Sequence, residues 1–202
     1  VEGALLHGRL TGDPAVRETL DKTKRWLPAP RWFQAYEVPN AREAGWHIIH
    51  LCAFAAADND PDPLQCAKVI VDRVLQRQAP GGGWEHNLLE AHCGCGYPRC
   101  RGEAGFMVGV LLASLKRYHA LTADPAVAEA IVGGARWLIR RTFDHKTGYF
   151  RYTPCPNRGR APNPQYTQWV LDGLADAYAL SHDEEIGKIL RHGLAAIGQI
   201  PQ

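Results

Sequence analysis

Between positions 92 and 100 the chain carries His92, Cys93, Cys95 and Cys100, four soft donors within nine residues. Zinc favours such donors, and Gly94 and Gly96 let a short loop fold around an ion. The C-x-C-x4-C spacing is not that of a finger. A structural site usually recruits a ligand from a second segment, and Cys155 could be that ligand. Two alternatives stay open: a disulfide such as Cys100–Cys155, or free thiols.

Three further groups have chemical potential. Glu43, His47 and His50 fall at i, i+4 and i+7, so they share one stripe of a helix. Such a stripe could hold a metal, supply acid–base groups near neutral pH, or simply line a polar interior. Trp84-Glu85-His86 follows three glycines that allow a sharp turn and present the next three side chains into the rim of the long loops. Tyr149-Phe150-Arg151-Tyr152 would alternate faces if extended, pairing Tyr149 with Arg151 and Phe150 with Tyr152.

A tyrosine beside an arginine or histidine suits β-elimination of a uronate. One group removes the proton α to the carboxylate, and a cation offsets the charge that builds there. Hydrolysis would instead need two carboxyl groups flanking the scissile bond, for which Glu85 and Glu103 are the nearest candidates. The catalytic candidates are His47, His86, Tyr149 and Arg151. Substrate contacts are expected from Glu43, Trp84, Tyr97, Arg99 and Tyr152, and metal ligation from His92, Cys93, Cys95 and Cys100.

The elements that position these residues repeat along the chain. Four apolar stretches of helical period each end in a short polar turn, TGD, ADNDPD, TAD or SHD, and a second helix follows. The hairpins span about 1–27, 41–78, 103–142 and 164–199. Asp13, Asp62 and Asp124 each precede a proline, the arrangement of an N-cap before the first helical residue. Asn40 with Glu43 has capping-box spacing. Gly109, Gly133 and Gly134 lie inside helices, where close helix–helix approach would be the reason to keep them. Trp26 and Trp137 occupy equivalent outer positions and are expected to pack. His7, His119 and His192 are expected to be structural. Only Gly148–Thr153 looks strand-like, so the expected class is all-α, an array of antiparallel αα-hairpins.

Connections within hairpins are short, whereas those between them (about 28–40, 79–102 and 143–163) are long. In an up-down array the long connections share one end. They hold half of the aromatic side chains, among them Trp32, Phe33, Tyr36, Trp84, Tyr97 and Tyr152, and several arginines, including Arg31, Arg99, Arg151, Arg158 and Arg160. Rings and guanidinium groups on one rim suit a polar, ring-shaped, anionic ligand.

Composition removes other classes. Apolar residues are 46% and charged residues 22%, as in a folded globular chain. A net charge of +2 argues against a dedicated nucleic-acid binder, and no apolar run reaches membrane-spanning length. The chain starts at Val1 inside a helical pattern, which is expected of an excised or mature piece with other domains as partners.

The TGDP turn, the segment GEAGFMVGVLLASLKRYHALTADPAVAEAIVGGARWL and GG-x-W after an outer helix resemble the α/α-toroid of polysaccharide-processing enzymes. The likeness is to the toroid module of exo-rhamnogalacturonan-lyase-like and β-L-arabinofuranosidase-like proteins. It implies an (α/α)6-type architecture with inner helices lining a ring, a cleft at the long-loop end, and a carbohydrate substrate outside the cytoplasm, in an extracellular or periplasmic setting. It further implies a lyase or a glycoside hydrolase; a non-catalytic helical binding module is the alternative. The arabinofuranosidase-like proteins use a zinc-bound cysteine as nucleophile, but the cysteine pattern here does not match theirs. Gln78, Gly82 and Trp84 also fit a Q-x3-G-x-W signature of triterpene cyclases, where it stabilises structure; the acidic motifs of those enzymes are missing.

Overall fold

The computed structural model describes residues 1–26, 40–58, 60–157 and 164–198. Trp32, Phe33, Tyr36, Arg31, Arg158 and Arg160 lie outside them. The described residues form four helical hairpins: α1 (Glu2–Thr11) with α2 (Pro14–Trp26), α3 (Ala41–Asp58) with α4 (Pro61–Arg77), α5 (Gly105–Thr122) with α6 (Pro125–Thr142), and α7 (Pro164–Ser181) with α8 (Glu184–Gly198). The chain is all-α apart from a two-residue ladder, β1 (His86–Asn87) antiparallel to β2 (Arg101–Gly102), and a 3-10 turn at Glu90–His92. No described helix is long and apolar enough to cross a membrane.

Helix starts follow local chemistry. Asp124 Oδ1 accepts from the Ala126 N–H at 2.9 Å, and Asp13 Oδ1 from that of Ala15 at 2.9 Å. Asn40 caps α3: its Oδ1 accepts from the Glu43 N–H at 2.9 Å while its Nδ2 donates to Glu43 Oε1 at 2.8 Å. In α4 the cap is Asp60 before Pro61, not Asp62 before Pro63; Asp60 Oδ1 accepts from the Asp62 N–H. The DPDP run offers two equivalent starts, and the earlier one adds two residues of helix. Gly148–Thr153 is not a strand. It contributes one antiparallel bridge, Phe143 to Phe150, because its partner segment turns away at once.

Helices α3, α5 and α7 pack side by side as an inner layer, and α4, α6 and α8 cover them outside, with little contact among themselves. The array therefore curves, its inner helices on the concave side. Close inner packing needs small residues. A Cβ on Gly109 of α5 would overlap the Trp169 carbonyl of α7. The core includes Ile48, Leu51, Phe54, Ile70, Leu111, Leu112, Leu115, Ile131, Trp137 and Leu138. Trp137 is 1% exposed, whereas its counterpart Trp26 is 67% exposed, since α1 and α2 contribute no buried residue.

The Q-x3-G-x-W residues form a joint between the outer helices. Gln78 Nε2 donates to the Gly82 carbonyl at 2.8 Å and to the Ala130 carbonyl of α6 at 2.9 Å. The Trp84 indole N–H donates to the Val74 carbonyl at 2.8 Å. Gly82 has φ +86°, and a Cβ there would collide with the Gly133 carbonyl. This joint launches the long 78–104 connection from a fixed point.

Candidate functional site: an aromatic mouth and a four-sulfur centre

The 78–104 and 143–157 connections meet at the N-terminal end of the inner helices. The contact is direct: the Thr153 hydroxyl donates to the His92 carbonyl at 3.2 Å, and the Gly105 N–H to the Tyr152 carbonyl at 2.9 Å. The 27–39 connection lies outside the described residues.

Rings from several elements line this mouth. Phe106, in the first turn of α5, stacks on Tyr152 (centroids 5.6 Å apart) and on Tyr166 of α7 (5.8 Å). Trp46 of α3 and Trp169 of α7 meet edge to face at 6.1 Å. Both tryptophans are partly exposed, at 38% and 49%. The Arg42 guanidinium lies 5.9 Å from the Phe106 ring centroid. Arg42, Glu43, Trp46, Phe106, Val110 and Trp169 together bound a cleft of 440 Å³. Where Tyr152 enters the mouth, its hydroxyl is 3.2 Å from His92 Nε2, and the two rings meet edge to face at 5.3 Å. Aromatic faces with a few placed polar groups suit a flat, polyhydroxylated ring.

A second, polar cleft of 270 Å³ is bounded by Asn40, Ala41, Arg77, Trp84, Glu85, His86 and Glu103. Glu103 is 3% exposed and accepts from the Ala104 N–H at 2.8 Å and the Ala41 N–H at 3.3 Å, so it fastens α3 to α5. Glu85 Oε1 accepts from the Trp137 indole at 2.8 Å. His86 Nδ1 stands 3.8 Å from Glu103. Both carboxylates thus serve structural donors.

Beside the mouth, the sulfurs of Cys93, Cys95, Cys100 and Cys155 all lie within 4.8 Å of one another. Cys95 is 3.5 Å from Cys100 and 3.6 Å from Cys155, and Cys155 is 3.8 Å from Cys93. These separations are far beyond a disulfide's ~2.05 Å. They approximate the ~3.8 Å edge of a tetrahedron with metal–sulfur bonds of ~2.3 Å. The Cys100 N–H points at Cys93 Sγ (3.3 Å) and Asn157 Nδ2 at Cys95 Sγ (3.2 Å), donors that favour thiolates. Backbone N–H groups of Cys100 and Cys95 draw the Cys93 thiol below its ordinary value. Contact with the Cys95 sulfur, with burial, pushes Cys100 up to about 12. Four sulfurs in one place cannot all ionise unaided, and a cation would resolve that conflict. The centre can hold a metal ion.

The other sequence candidates fall in different places. His92 does not join the sulfurs, since its ring is turned to Tyr152, and Cys155 completes the set. Trp84 is buried in the core. The Tyr149 hydroxyl donates to the Ala196 carbonyl of α8, and Arg151 to the Arg141 carbonyl, so this pair leans on the outer layer and not the mouth. Tyr97 is 93% exposed at a loop tip, and Arg99 pairs with Glu90 at 3.5 Å. Glu43 reaches the cleft. His47 and His50 lie deeper along the same helix, half-buried, and burial pushes both imidazoles below their usual value. His50 also feels the charge of Glu2, so this end of the stripe faces α1. Among the described residues, the cysteines are the only group of three or more converging metal-type donors. Arg42, Trp46, Phe106, Tyr166 and Trp169 were missed as site residues because each reads as ordinary helix. Their shared position in the first two turns of the inner helices was the available signal.

No known sequence family and no curated protein matches the chain. Solved structures do. Unsaturated glucuronyl hydrolase from Bacillus sp. GL1 superposes with a TM-score of 0.73 at 15% identity, covering 98% of this chain and 55% of that one. A GH76 α-mannanase from Bacteroides thetaiotaomicron gives 0.61 at 16% identity over 80% of this chain and 45% of that one. A polysaccharide lyase gives 0.60 at 14% identity over 100% and 58%. The chain spans about half the length of these structures. What it shares with them is the fold: the helical hairpins of this chain have the α/α-toroid arrangement of carbohydrate-processing enzymes.

Proposed function

We propose that the protein is a carbohydrate-active enzyme domain that binds an acidic oligosaccharide in the aromatic mouth and cleaves it by β-elimination. The observation that carries this reading is the Tyr152–His92 contact of 3.2 Å, set beside the Phe106 face and the Arg42 cation. A uronate ring stacked in the cleft would place its carboxylate toward Arg42, which offsets the charge of the enolate-like transition state. Tyr152 passes its hydroxyl proton to His92 Nε2 and takes the proton from C5. The C4–O bond breaks, a C4=C5 double bond forms, and the leaving oxygen takes the proton from Tyr152. His92 then returns its proton to the phenolate. Glu43 is available to hydroxyl groups of the sugar.

Hydrolysis on the same scaffold is the second reading, and the Glu85–Glu103 cleft is its basis. It is weaker because both carboxylates already accept from structural donors. For the sulfur centre we assign zinc, which favours four thiolates in a closed tetrahedral site. The experiment is digestion of uronate-containing polymers, followed by ultraviolet absorbance of the unsaturated product. Product formation supports elimination. Reducing ends without the absorbance support hydrolysis, and absence of both overturns the enzymatic reading.

A further inference from the structure

We infer that the four-sulfur centre is a metal clasp that sets the His92–Tyr152 pair, tying the 86–102 loop to the 150–155 segment; this deepens the proposed function and rests on its assignment of zinc. Cys93 follows His92 directly, and Cys155 lies three residues beyond Tyr152. The two ligating segments are the same two that bring the imidazole to the phenol.

Among the described residues the loop has few regular or buried restraints. The β1–β2 ladder has only two residue pairs, His86 with Gly102 and Asn87 with Arg101, too short to be stable alone. The loop has its own small apolar cluster, Leu88 with Cys93 and Cys155, separate from the main core. Residues 94–98 at its tip are exposed. Its other ties include the Leu88 N–H to the Cys100 carbonyl at 2.9 Å, the Thr153 hydroxyl to the His92 carbonyl, and the Arg141 guanidinium to the Arg101 carbonyl at 3.2 Å, and these leave the 92–100 stretch with little hold apart from its sulfurs. A loop with so few buried contacts belongs to the low-stability end of a protein unless something crosslinks it. Four metal–sulfur bonds from two segments are such a crosslink, and binding free energy there becomes local folding free energy. The cysteines have a positioning role in this scheme. The sulfurs are engaged with one another and none is assigned to the substrate.

The test begins with metal analysis of the purified protein, with one zinc per chain expected. Cobalt(II) in its place should give the thiolate charge-transfer and visible bands of a tetrahedral tetrathiolate site. Removal of zinc by a chelator should speed amide exchange in residues 86–102 and 150–155 at least about tenfold, with α5 and α6 unchanged. Zinc return should restore protection. Cys155→Ser should lose the metal and the protection together. If that variant does not fold, Cys95→Ser, which alters an exposed sulfur, serves instead. Absence of metal, iron in place of zinc, or a disulfide overturns the metal assignment. Zinc present with exchange at His92 and Tyr152 unchanged on its removal overturns the clasp. A zinc-loaded protein with a protected loop that binds no uronate oligosaccharide overturns the proposed function alone and leaves the clasp standing.

Discussion

The Tyr152 hydroxyl and His92 Nε2 are 3.2 Å apart although 60 residues separate them in the chain. Each sits on a segment anchored by a cysteine of the sulfur centre, and Tyr152 is also sandwiched against Phe106 and Tyr166. The pair is thereby held beside the aromatic mouth, with His92 at the end of the Glu90–His92 3-10 turn and Tyr152 outside any helix or strand.

Tyr152→Phe removes one oxygen and keeps the stacking. Product formation should fall by about 10²–10⁴-fold, the usual worth of a positioned acid–base group. Urea unfolding should shift by no more than about 1 kcal/mol, since one hydrogen bond is lost. Unchanged turnover would remove Tyr152 from the reaction.

Arg42→Ala should weaken binding of uronate oligosaccharides by about tenfold to a hundredfold, the range for a charge-assisted contact of ~1.5–3 kcal/mol. Neutral oligosaccharides should lose far less. Arg42→Lys should restore part of the affinity, because it keeps the charge and loses the planar fork. Titration calorimetry with both ligand types distinguishes these outcomes; equal losses would mean that the cation reads no carboxylate.

Burial disfavours the charged form of His47 and His50, so both have folded-state values below the unfolded ~6.5. Their contribution to stability is complete above that pH. It is lost as pH falls through the folded values, because the unfolded chain then binds more protons. Melting temperature should decline from pH 7 to pH 5. A His47→Gln/His50→Gln variant should show a flatter profile over that interval, and parallel profiles would contradict the sign.

Gly82→Ala should destabilise the protein by at least about 2 kcal/mol. A left-handed φ costs a Cβ-bearing residue ~1–2 kcal/mol, and here the Cβ also meets the Gly133 carbonyl. Gly81→Ala is the control, since open space surrounds that position. Denaturant midpoints of the two variants, compared at equal slope, measure the difference.

The sequence by itself determined the helices, their pairing and the end of the array that matters. Apolar period, proline-led starts and turn residues are local signals, and they act within one or two turns of chain. They were enough to draw four hairpins and to expect the long connections at one pole, where the described 78–104 and 143–157 stretches meet. They also located the cysteines, because soft donors packed into one loop are visible as letters. Which donors converge was a different matter. Cys155 joins the sulfurs, as its spacing allowed, but His92 does not, because the direction of a loop side chain depends on what packs against it. The Leu88 cluster draws Cys93 and Cys155 together, while the Tyr152 ring draws the imidazole away. Alternation along 149–152 separated Tyr149 and Arg151 from Tyr152 as the spacing implied, although no strand forms there. Tyr149 went to the outer helix and Tyr152 to the mouth because α8 and α5 stand on opposite sides of that segment. The aromatic mouth itself was decided only by tertiary structure. Phe106, Trp46 and Trp169 bound one cleft, with Tyr166 stacked on Phe106, because three inner helices pack side by side, with close backbone approach at glycines such as Gly109.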